Sequence, residues 1–375
     1  MSETVILLSV PGLRSADLEA MPRVRALFQQ GDQAELVASF PAVTCPVQAN
    51  MTTGTPPSEH GVVANGVFHR ESKRVEMWTE TNACIGRPQL WDIMREQNPS
   101  LTSAVWFPLH SKGCGADYVC TPAPIHNPDG SESLWCYTKP ESLYGELRDA
   151  YGHFPLQHFW GPMAGIQSSA WIVSSAIDAA RRYQPNLFYI YLPHLDYAAQ
   201  KHGPDSPEAT QALGALDAEA GRLIDGLAEA YGDRRVLWLA ASEYVITPVD
   251  HVCYPNRALR DAGLLAIAEL LAVKETDDGE MIDFQGSQAW ALADHQHAHI
   301  FTSDEKAKTR AAEVLSQEQG IADVIDPRNC PQYDLSHERS GALVAVSEPA
   351  SWQAYYWWHD DERAPSFART VDIHR

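Results

Sequence analysis

The segment Phe40-Pro41-Ala42-Val43-Thr44-Cys45-Pro46 sets a hydroxyl and a thiol directly before a proline. Proline suits the first turn of a helix, where its missing N–H costs no hydrogen bond. Thr44 therefore stands at or just before a helix start, beside unpaired amide N–H groups and the positive end of the helix dipole. Such a place serves a structural N-cap, or it serves an anion: a bound phosphate, or a hydroxyl that gives up its proton. A second group is Asp294-His295-Gln296-His297-Ala298-His299. Read as a strand, it puts His295, His297 and His299 on one face, with Asp294 and Gln296 on the other. Imidazoles sharing a face can hold a transition metal, although an exposed or hydrogen-bonded strand shows the same alternation. The pair Asp250-His251 is a further candidate, and Asp196 follows an apolar run at the carboxyl end of a strand, where α/β proteins gather ligands. Trp352, Tyr355, Tyr356, Trp357 and Trp358 can stack on a base or pack a core.

These groups need a scaffold, and the hydropathy pattern supplies one. Short apolar runs at Val5 to Val10, Thr102 to Phe107, Leu187 to Leu192, Val236 to Ala241 and Ala342 to Val346 alternate with amphipathic stretches of helical length. That alternation predicts an α/β fold, a mostly parallel central sheet with helices on both faces. The clearest helix runs from Ser206 to Tyr231, where Leu213, Leu216, Ala220, Leu223 and Leu227 recur at helical spacing as core contacts. Residues 106–165, rich in Pro, Gly, aromatic and Cys residues, read as an insertion or cap on a single domain spanning 1–375.

The chain has 375 residues, with 28 basic against 49 acidic side chains, for a formal charge of −21. An excess of acid repels a phosphate backbone, so no nucleic acid polymer is expected as partner. No window is long and apolar enough to cross a bilayer, and the start carries no basic region before an apolar stretch, which predicts a cytoplasmic protein without a membrane partner. The seven cysteines are odd in number and lack a C-x-x-C pair, which argues against a disulfide framework and a zinc ribbon.

The string F-P-x-x-T-x-P at residues 40–46, followed by T-G-x-x-P-x-x-H-G-x-x-x-N at residues 53–65, resembles the nucleophile segment of the nucleotide pyrophosphatase/phosphodiesterase family in the alkaline phosphatase superfamily. The resemblance implies an alkaline phosphatase-like fold. It implies that Thr44 attacks phosphorus at a helix end beside divalent metal, and that Asn65 binds a phosphoryl oxygen. Cys45-Pro46 matches part of the sulfatase C-x-P-x-R motif, but Gln48 occupies the arginine position.

The same resemblance implies a ligand set for one or two ions, zinc or manganese. Asp196 matches a carboxylate ligand, Glu243 in Ala241-Ser242-Glu243-Tyr244 matches another in charge, and His374 matches the last histidine. Three positions depart from the family pattern: Pro11 replaces an aspartate, Gln200 a histidine and Tyr244 a histidine. His299, His202 and His194 are available as substitutes, His299 being taken as the fourth metal candidate. The expected function is a metal-dependent phosphoesterase cleaving a small phosphodiester or pyrophosphate. Two alternatives stay open: a non-catalytic relative that binds a phosphorylated metabolite or a protein partner, and a phosphonate hydrolase. The sequence leaves the oligomeric state unread.

Overall fold

The computed structural model describes residues 3–126, 132–268, 279–365 and 367–368. They group into two units: Met1–Ala38, Met51–Gly54 and Thr79–Ile246 form one, and Ser39–Asn50, Thr55–Trp78 and Thr247–Arg375 the other.

The first unit is built on a six-stranded sheet of β1 (Glu3–Ser9), β2 (Ser103–Trp106), β3 (Tyr118–Pro122), β4 (Cys136–Lys139), β5 (Leu187–Tyr191) and β6 (Arg235–Ala241). Their spatial order is β6-β1-β5-β2-β3-β4, parallel throughout except for the antiparallel β3–β4 pair. β2 and β5 are buried along their whole length, as parallel strands covered on both faces must be. The expected strands fall here within a residue or two of their predicted ends. The segment 106–165, expected as an insertion or cap, instead supplies β3 and β4 to the sheet.

Two long helices, Ile166–Tyr183 and Pro207–Tyr231, pack together in this unit. The second begins at Ser206, whose hydroxyl accepts the Ala209 N–H at 3.1 Å, with Pro207 in its first turn. The stripe from Leu213 to Leu227 is buried as its spacing requires. Gly226 sits where a Cβ would stand 2.5 Å from Ile177 Cδ1 and 2.8 Å from its Cγ1, so the absence of a side chain sets how closely the helices approach.

The second unit holds an antiparallel sheet of β7 (Ala289–Asp294), β8 (His297–Thr302), β9 (Ile321–Ile325) and β10 (Leu343–Ser347), in the order β7-β8-β10-β9. Trp357 and Trp358 are buried in its core with Tyr355 and Tyr356 packed against them, so the aromatic cluster is packing. The last expected strand, Ala342 to Val346, is β10 here.

Replacing Gly226 with Ala tests the helix contact. The gain in helix propensity of about 1 kcal/mol is outweighed by an overpacking cost of about 1–3 kcal/mol against β-branched Ile177. Urea denaturation should show a lower midpoint for Gly226→Ala; a raised midpoint would contradict the contact.

Candidate active site

Thr44 opens the helix Thr44–Thr53, and the Val47 N–H closes its first turn on the Val43 carbonyl at 3.1 Å. Amides at such a start have no partner inside the helix. Pro46 has no N–H to satisfy, and the Cys45 N–H is received by Asn65 Oδ1 at 2.9 Å. Asn65 thus caps the helix one residue beyond the threonine, from 20 positions away in sequence. Its Nδ2 donates to Asp294 Oδ1 at 3.0 Å, and its backbone N–H to Asp294 Oδ2 at 2.7 Å. Thr44, Asn65 and Asp294 are all buried. The sequence-predicted pair of Thr44 and Asn65 is therefore brought together. The Asp294 link spans 229 residues and no local pattern announces it.

The 294–299 segment is a hairpin rather than one strand. Asp294 ends β7 opposite His297 at the start of β8, with His295 and Gln296 in the turn. His295 has φ +57°, which takes it out of the alternation, so only His297 and His299 share a face. His299 cannot serve as a metal ligand as expected: its Nε2 donates to the Val63 carbonyl at 3.0 Å, and its Nδ1 accepts from the Gly341 N–H at 3.1 Å, leaving no lone pair for a cation. Burial, and then His297, push its pKa down to about 3. Burial also lowers the pKa of His297, whose Nε2 has no hydrogen-bond partner among the described residues. His251, of the Asp250-His251 pair, spends its Nε2 on the Gln319 carbonyl at 3.0 Å.

In the first unit, the carboxyl ends of β1, β5 and β6 gather a polar group. Ser9 ends β1, and its hydroxyl donates to Glu243 Oε1 at 2.6 Å. Asp196 lies in the first turn of the helix His194–His202 that follows β5, and the Tyr244 hydroxyl donates to its Oδ1 at 3.0 Å. Both carboxylates are buried. They act on a common neighbour: burial first, then Glu243, Tyr244 and Asp196, hold the Tyr191 hydroxyl well above its ordinary pKa. Pro11, just past β1, offers no donor, and His202 is exposed in the last turn of its helix. His374 lies outside the described residues. A buried carboxylate is a hard oxygen donor of the kind divalent cations take. Asp196 and Glu243 do not amount to the two-cation set, and no group of three or more His, Cys, Asp or Glu is placed to hold a metal among the described residues.

The buried imidazoles of the second unit make stability depend on pH. His60, whose Nδ1 accepts from the Val62 N–H at 3.0 Å, is pushed down to about 4 by burial and then by His337 and Arg339. Unfolded, His60 and His299 titrate near pH 6.5, so between there and their folded values the unfolded chain binds more protons. Their contribution is complete above about pH 6.5 and drains away as the pH falls, by up to about 1.4 kcal/mol per pH unit for each. Urea unfolding at pH 7.5, 6.5 and 5.5 should show decreasing stability, with a shallower slope in His299→Gln; stability that is flat or rising toward pH 5.5 would contradict this.

The model of the type I phosphodiesterase/nucleotide pyrophosphatase family matches residues 5–374. The chain is 23% identical over 249 residues to an uncharacterized pyrophosphatase/phosphodiesterase of Schizosaccharomyces pombe; the match covers 65% of this chain and spans 45% of that protein. Its fold is similar to that of phosphonoacetate hydrolase from Sinorhizobium meliloti 1021 in complex with phosphonoformate, at 16% identity and a TM-score of 0.65, covering 97% of this chain and 84% of the other. It is also similar to murine ectonucleotide pyrophosphatase/phosphodiesterase 5, an inactive variant in complex with AMP, at 17% identity and a TM-score of 0.63, covering 96% and 82%. These likenesses establish the alkaline phosphatase-like α/β architecture. With nearly its whole length matched by the family model, this chain belongs to the type I phosphodiesterase/nucleotide pyrophosphatase family.

Proposed function

We propose that the chain hydrolyses phosphoric ester bonds in a small phosphodiester or pyrophosphate, with Thr44 as nucleophile. The observation that carries this reading is the helix start itself: a buried threonine at the amide end of a helix, with the Asn65 amide fixed on the next residue's N–H. A helix start favours both a phosphoryl anion and the alkoxide that attacks it.

The Thr44 hydroxyl releases its proton to solvent as its oxygen forms a bond to phosphorus, while the bond from phosphorus to the leaving oxygen breaks and that oxygen takes up a proton from solvent. Water then cleaves the phosphothreonine ester and returns the hydroxyl. Asn65 donates to a non-bridging oxygen, where negative charge grows during each displacement. Asp196 and Glu243, with His374 as the third ligand implied by the family resemblance, would be the residues to hold a zinc or manganese ion, and the chemistry such an ion would supply is positive charge that stabilises a phosphoryl oxygen. Pro11, Gln200 and Tyr244 leave fewer ligands than the family pattern, which favours one ion over two. The same departures favour a second reading, a relative that binds a phosphorylated metabolite without turning it over.

Hydrolysis of bis-p-nitrophenyl phosphate, followed with elemental analysis, separates the two. The hydrolase reading expects bound zinc or manganese, activity removed by EDTA, and a fall of about a thousandfold or more in kcat for Thr44→Ala. Unchanged turnover in Thr44→Ala would overturn the assignment of the nucleophile. An inert chain stabilised by inorganic phosphate even in EDTA would establish the binder.

A further inference from the structure

We propose that Asp294 is a positioning residue for Asn65: it fixes which end of the amide faces the reacting phosphoryl group. This rests on the hydrolase reading above and adds to it a residue that makes no contact with substrate.

An asparagine amide has two faces of opposite polarity and little intrinsic preference between them. Here two neighbours make the choice. Both Asp294 oxygens act as acceptors, one for the Asn65 backbone N–H at 2.7 Å and one for Nδ2 at 3.0 Å, so the atom turned toward the carboxylate must be the nitrogen. The Cys45 N–H, a donor, meets the oxygen at 2.9 Å. Turning the amide over would set nitrogen against a donor and oxygen against a carboxylate. One hydrogen on Nδ2 is spent on Asp294, and the other has no partner among the described residues, which leaves one donor for a phosphoryl oxygen.

Asp294 is itself held on a rigid element. It closes the β7–β8 ladder opposite His297, and the turn beyond it is pinned: the Gln296 side chain donates to the Ser351 carbonyl at 2.8 Å, the Gln353 N–H to the His295 carbonyl at 2.6 Å and the Ser347 N–H to the Gln296 carbonyl at 2.9 Å. A donor aimed at a transition state needs such support, because a small misplacement forfeits most of its value.

Asp294→Asn tests this with almost no change in volume. It replaces one acceptor oxygen with a donor and removes the carboxylate's share in orienting the amide, leaving only the Cys45 N–H to hold it. Asn65→Ala should lower kcat on bis-p-nitrophenyl phosphate by about a hundredfold to a thousandfold, as for other lost transition-state donors. Asp294→Asn should lower it by about tenfold to a hundredfold with KM little changed. The deciding comparison is the double variant: with Asn65 already Ala, Asp294→Asn should cost less than about twofold in kcat, since nothing is left to orient. Penalties that multiply in the double variant, or a folded Asp294→Asn with wild-type kcat, would overturn the proposal. Should Asp294→Asn fail to fold, Asp294→Ser takes its place in the same cycle.

A wild-type chain that hydrolyses nothing sinks the hydrolase reading. The cycle is then measured on the dissociation constant of inorganic phosphate, where non-additive losses support the positioning role. Additive losses, or no phosphate binding by the wild type, overturn it.

Discussion

The helix that begins at the buried Thr44 has its first free amide satisfied from outside the helix. The Asn65 oxygen takes the Cys45 N–H, and Asp294 grips Asn65 through both its backbone and its side chain. Three segments far apart in sequence are thereby joined by charge-assisted and neutral hydrogen bonds in a buried setting, where such bonds are strong and leaving one unmade is costly. The placement of Thr44 depends on this network more than on the helix propensity of residues 44–53, a run with little amphipathic character of its own.

The first unit follows a different rule. Parallel strands deliver their carboxyl ends to one edge, and there Ser9, Asp196, Glu243 and Tyr244 meet in two hydroxyl-to-carboxylate contacts. Tyr244 donates its hydroxyl hydrogen to the Asp196 carboxylate. A shared scaffold hosts different chemistries, so the fold alone does not say what is turned over.

Much of this was legible in the sequence, for reasons that differ by residue. The strands around Leu187 and Val5 announce themselves because burial on both faces demands an unbroken apolar run, and the helix at 207–231 because its buried stripe is long and its cap is a serine before a proline. Thr44 and Asn65 were legible through a spaced motif. β3 and β4 were hidden within 106–165, where proline, glycine and cysteine mask the alternation of an antiparallel pair. The histidines at 295–299 misled because alternation says nothing about where a strand turns, and His295 takes a left-handed conformation that ends the ladder. His299 could not be excluded as a ligand until its two backbone partners, Val63 and Gly341, were seen. Asp294 was invisible as a partner because its role is a contact between distant segments.

The central claim is that the hydroxyl at this helix start is the group that attacks phosphorus. Turnover of a phosphorothioate diester chiral at phosphorus, in heavy-oxygen water, reads it from the stereochemistry of the product. Two in-line displacements, through Thr44 and then water, predict net retention of configuration. Net inversion, the mark of a single direct attack by water, would contradict the account.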